Sequence, residues 1–128
     1  MQTRTVSLTL PASSDYVRIA RLASSGVAER LGFDFEAVDE LRIAVDELCH
    51  AAIDHGAQGS IMVCFDLHDH AVDVELRVSA VRDGPGRGPG AFDLTPLSRQ
   101  ILGAIVDSAD SGCSDDEEWF RFHKGAQR

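Results

Sequence analysis

Apolar positions recur along this chain with two periods, and the switch between them marks out its elements. From Phe33 to Gly56 they return every third or fourth place, at Val38, Leu41, Val45, Leu48 and Ala52. That spacing predicts one long amphipathic helix. Asp34 stands where an N-cap belongs, Phe33 and Val38 occupy the two positions of a hydrophobic staple, and Gly56 is a natural stop. The other face carries Glu36, Glu40, Asp46, Glu47, His50 and Asp54, which reads as a solvated surface.

Elsewhere the period is two. Val6, Leu8 and Leu10 alternate with Thr5, Ser7 and Thr9, a half-buried strand at a sheet edge that Pro11 ends. Ser13 and Ser14 can cap a helix from Asp15 to about Leu31, with Val17, Ala20, Val27 and Leu31 inward and Gly32 as its stop. The joint to the long helix is so short that the two helices must be neighbours. Ser60 to Leu67 and Ala71 to Val81 form a hairpin. In its second strand Val72, Val74, Leu76 and Val78 face the core and Asp73, Glu75 and Arg77 face water. His68 and His70 sit at its tip without a third ligand, so no metal is expected there.

Arg82 to Gly90 is a Gly/Pro loop, too compact for an interdomain linker. Leu94 to Ser108 predicts a third helix, with Thr95 as cap, Pro96 in the first position and Leu97, Ile101, Ala104 and Ile105 as its apolar face. Residues 107–118 read as an acidic connector, Trp119 to His123 as a last strand and Lys124 to Arg128 as a frayed tail. The predicted order is β-α-α-β-β-α-β. It implies an α+β two-layer sandwich, with helices on one face of a mostly antiparallel mixed sheet, in a single domain over residues 1–128.

Composition narrows the function classes. The chain has 128 residues and a net charge of −9, which argues against direct nucleic-acid binding, since a phosphate backbone calls for clustered Lys and Arg. No apolar run reaches the ~20 residues of a membrane span, and the N-terminus lacks the apolar core of a signal peptide. Cys49, Cys64 and Cys113 form no C-x-x-C pair. They suit a reducing compartment as buried or incidental thiols, and the expected location is the cytoplasm.

The long helix also carries the order AVDELCHAAIDHG. It resembles the N-box helix of the GHKL (Bergerat-fold, histidine kinase-like) ATPases. The branch it looks most like holds the RsbW-like anti-sigma factors that are also serine-protein kinases. There the helix reads approximately V-S-E-A-x-T-N-A-x-x-H-G, and Val45, Glu47, Ala52, His55 and Gly56 fall in register. The resemblance implies that Glu47 matches the carboxylate that activates water or a hydroxyl. It also puts Ala51 where the family has the asparagine that holds magnesium. A methyl has no oxygen to give a cation that demands oxygen ligands.

The family's second motif, D-x-G-x-G, reads adenine. Here the glycines fit Gly84 and Gly86, Arg82 falls at the aspartate position, and Asp83 is next to it. Arginine is a donor where an acceptor is needed. The family's glycine phosphate cradle at the next helix is replaced by TPLSRQ, and the phrase GPGAFDLTPLSRQILGAIVDSAD resembles actinobacterial variants with an incomplete nucleotide site. Ala51, Asp83, Gly84 and Gly86 thus outline a degenerate nucleotide site, with Glu47 as a vestigial catalytic position. No cofactor is expected, and ATP with magnesium enters only if kinase activity survives.

The resemblance further implies a partner surface. An arginine of the first helix contacts both the sigma factor and the anti-anti-sigma (STAS-type) protein in this branch, and Arg21 falls at that place. The expected function is an anti-sigma regulator of stress-response transcription, with the serine kinase as the alternative. The reading leaves open whether the chain is a homodimer.

Overall fold

The computed structural model describes residues 4–54, 59–79, 94–113 and 117–125. The alternating opening segment forms strand β1 (Thr5–Pro11). Ser13 then caps a single 3-10 turn, its hydroxyl accepting from the Asp15 amide, and helix α1 (Val17–Arg30) follows. Gly32 takes a positive φ of 77°, a backbone state that costs glycine little, and turns the chain into helix α2 (Phe35–Asp54). Asp34 caps α2 as its sequence position predicts: Oδ1 accepts from the Ala37 amide at 2.8 Å. Phe33 is buried and Val38 is half-buried against the same core, as the two positions of a staple require. Gly56, the predicted stop, lies outside the described residues.

Strands β2 (Ser60–His68) and β3 (Ala71–Ser79) form the hairpin. Helix α3 (Pro96–Ile105) starts on Thr95, whose hydroxyl accepts from the Ser98 amide. Strands β4 (Ser108–Cys113) and β5 (Glu117–Gly125) close the sheet. Its order is β1-β2-β3-β5-β4, and all four pairings are antiparallel, so β1 is an edge strand as predicted. Among the described residues the layout is a five-stranded antiparallel sheet with three helices on one face. Leu41, Val45 and Leu48 of α2 are fully buried over Val63, Phe65, Val74 and Leu76 of the sheet.

Three expectations are corrected. The acidic connector contains β4, an edge strand of small and polar residues (SADSGC) with no apolar alternation to reveal it. Its partner β5 supplies the apolar side chains. Helix α3 ends at Ile105 and is turned from its predicted face: Leu102 is buried while Leu97 is 66% exposed. One side of this helix turns inward beside α2, and the side is set by Leu94 and Leu102 reaching the core. Lys124 is no part of a frayed tail. It continues β5, is 2% exposed, and pairs with Glu40 of α2.

Candidate functional site

The polar face of α2 is tied to its neighbours rather than left to water. Glu40 takes Lys124, Asp46 takes Arg21, and Glu47 takes Ser98. These contacts correct the solvated-face expectation at three positions.

Glu47 lies mid-helix on the side facing α3. Its Oε2 accepts a hydrogen bond from Ser98 Oγ at 2.8 Å. That hydroxyl in turn accepts from Thr95 Oγ1 at 3.1 Å, and the Thr95 oxygen accepts from the Ser98 amide. The Glu47 carboxylate is therefore within bonding distance of a serine hydroxyl of its own chain. This is the separation a general base needs from the proton it would take. Ala51, one turn further along, is half-buried and packs its methyl against the core. Asp83, Gly84 and Gly86, together with Arg82, His55 and Gly56, lie outside the described residues.

Arg21 on α1 brings Nε to 3.0 Å from Asp46 Oδ1 of α2. The contact is outside hydrogen-bond geometry, and both atoms are shut off from solvent, so it acts as an ion pair. The side chain as a whole remains 41% exposed. His50 Nδ1 sits 3.0 Å from the Asp46 carbonyl and 3.5 Å from its carboxylate. The thiol of Cys49 is pushed up to about 12, by burial first and by the Asp46 charge second. It is inert at neutral pH, in keeping with a buried structural cysteine.

On the outer sheet face Asp73 joins two histidines, His123 Nδ1 at 2.6 Å and His68 Nε2 at 2.8 Å. His68 is thus engaged at a strand end rather than free in a turn. Among the described residues no cluster of His, Cys, Asp or Glu is arranged to hold a metal ion. A separate cleft of about 460 Å³ runs between α3 and β4, lined by Arg99, Leu102, Gly103 and Phe120 among others, and includes none of the predicted site residues.

Two residues of this constellation escape sequence reasoning. Asp46 stands at the serine position of the family motif, but its pairing with Arg21 joins positions 25 apart and needs α1 against α2 to be seen. Ser98 sits three places after the Thr95 cap, a spacing that explains its amide but not its hydroxyl.

A long helix carrying Glu47 over an antiparallel sheet, with α3 closing on it, is the frame of a histidine kinase-like ATPase. The model of the histidine kinase-like ATPase domain matches residues 10–117, and the chain belongs to that family. Within it the chain is RsbW-like. It is 33% identical over 114 residues to the serine-protein kinase RsbW of Halalkalibacterium halodurans, covering 82% of this chain and 70% of that one. It is 27% identical over 99 residues to RsbW of Bacillus cereus, covering 75% and 56%. The chain therefore spans little more than half the length of some curated relatives it matches. A solved structure of the RsbU and RsbW domains of Rv1364c from Mycobacterium tuberculosis shares the fold, with a TM-score of 0.75 at 17% identity over 98% of this chain and 33% of that one.

Proposed function

We propose that the chain is an anti-sigma regulator. It sequesters an RNA polymerase sigma factor, is countered by a STAS-type anti-anti-sigma protein, acts in the cytoplasm as a single histidine kinase-like domain, and binds ATP weakly or not at all. The observation that carries the loss of nucleotide chemistry is the pair Glu47 and Ala51. Where the family needs an oxygen ligand for magnesium, Ala51 offers a methyl. Phosphoryl transfer depends on metal placement and charge stabilisation, so Glu47 alone cannot sustain it. Arg82 at the adenine-reading position and the missing glycine cradle, both read from sequence, point the same way.

Titration calorimetry with ATP, first with magnesium and then with a chelator, tests this. Weak heat indifferent to the metal is expected. A low-micromolar dissociation constant that collapses on chelation rejects the reading. Partner capture depends on Arg21, a partly exposed guanidinium suited to a carboxylate of the partner. Arg21→Glu is expected to abolish recovery of the sigma factor from native extract while the circular dichroism spectrum stays unchanged. Undiminished recovery removes Arg21 from the interface.

The second reading, a serine kinase acting on the anti-anti-sigma protein, is favoured by the 2.8 Å contact of Glu47 with a serine hydroxyl and by the names of the relatives. Magnesium-dependent phosphate transfer that vanishes in Glu47→Ala establishes it in place of the first.

A further inference from the structure

Strand β4 is an edge of the sheet, so alternate residues turn their backbone amides and carbonyls away from β5. Helix α3 does not cover this edge. Ala109 is in register with buried Phe122, which puts it on the helix-bearing face, yet it is exposed. It lines the cleft of about 460 Å³ between α3 and β4, a volume in the range of ligand sites. Leu94, Leu102 and Phe120 give the cleft a buried apolar floor.

Gly103 keeps the cleft wide. It stands inside α3, where glycine costs helix stability, and no positive φ calls for it there. A Cβ at this place would meet nothing within 4 Å, so close packing does not exclude a side chain either. What the missing side chain leaves is open space along the cleft wall.

Opposite charges mark its two ends. At one end Arg99 gives its Nε to the Leu94 carbonyl at 3.4 Å, and among the described residues no carboxylate pairs with its guanidinium. At the other, Asp107 accepts from the Gly125 amide through Oδ2 at 2.8 Å, and no described lysine or arginine pairs with it. Eight helical steps separate the two positions, about 12 Å along the axis. The carboxylate and ammonium of one amino acid cannot reach across that distance. About three or four extended residues can.

We propose that this cleft takes the extended C-terminal tail of a partner protein, added to β4 as a further strand. The terminal carboxylate pairs with Arg99, and a lysine or arginine upstream in the tail meets Asp107. That polarity makes the tail parallel to β4. Its backbone bonds to the open side of β4, and alternate apolar side chains drop onto Leu102 and Phe120. The cleft contains neither Arg21 nor Glu47, so the proposal stands apart from the anti-sigma reading.

Selection by the full chain from a library of random hexapeptides with free C-termini, followed by fluorescence anisotropy on the best binder, tests this. The selected peptides are expected to end in an apolar residue and to carry lysine or arginine about three or four places before it. Amidating the terminal carboxylate is expected to weaken the binder about tenfold, Arg99→Gln to do the same, and the two together to do no more, because they remove one pair. Asp107→Asn keeps an acceptor for the Gly125 amide and is expected to weaken only the basic peptides. Gly103→Leu fills the cleft and is expected to abolish binding with the melting temperature undiminished. Should Gly103→Leu fail to fold, the cycle of amidation and Arg99→Gln decides. No enrichment from the library, a binder indifferent to amidation or to Arg99→Gln, or full affinity in folded Gly103→Leu overturns the proposal.

Discussion

Glu47 and Leu48 are neighbours in sequence with opposite duties. Leu48 is fully buried, and Leu48→Ala is expected to cost ~2–5 kcal/mol, because the cavity left behind cannot fully collapse. Glu47→Ala removes one hydrogen bond, that from Ser98, and is expected to cost about 0.5–1.5 kcal/mol. Urea unfolding of the two variants measures both. If Glu47→Ala matches Leu48→Ala, the Ser98 contact is part of a larger network than the described residues contain. Gly112 offers a second test at this scale. A Cβ there would stand 2.6 Å from Cζ2 of Trp119, whose ring lies 4.7 Å beneath the Arg121 guanidinium. Gly112→Ala is expected to push the indole aside, and tryptophan fluorescence together with a lowered melting temperature reads the shift.

The lock between α2 and β5 belongs to the scale of elements. Lys124 is buried at the end of β5 and neutralises Glu40 of α2. Lys124→Ala leaves a half-buried carboxylate unpaired. The expected loss is about 1–3 kcal/mol, below the ~3–5 kcal/mol of a fully buried broken pair because Glu40 keeps some contact with water. The double variant with Glu40→Gln is expected to recover part of that loss in chemical denaturation. Recovery fails if Lys124 acts only by packing its stem.

At the scale of the molecule, acid should unfold this chain partly through the outer sheet face. Burial pushes the Asp73 carboxyl up, but hydrogen bonds from His123 and His68 and their charge outweigh it, and the net shift is downward from 3.8. Glu75 behaves alike: burial raises it, and Arg77 and Arg121 bring it below 4.5. A carboxyl whose folded value lies below its unfolded one stabilises the fold fully above the unfolded value. That contribution is lost as pH falls through the folded value. Urea midpoints are therefore expected to drop below about pH 4. Asp73→Asn should flatten that limb by lowering stability at neutral pH while leaving acid pH least changed, and an equally steep limb in the variant removes Asp73 from the account.

How much was legible in the sequence follows from the range of each interaction. The period of Val38, Leu41, Val45, Leu48 and Ala52, the Asp34 and Thr95 caps, the Gly32 stop and the alternation of β3 are local patterns, and all are present in the structure. The N-box order was enough to reach the family and its fold, because that motif lies within one helix. Tertiary structure alone decided the rest. It made a strand of SADSGC, which has no periodicity of its own and is ordered by β5. It turned α3 so that Leu102 and not Leu97 is buried. It gave Glu47, Asp46 and Glu40 their partners on α3, α1 and β5, since an ion pair or hydrogen bond between distant positions leaves no trace in the pattern of either segment.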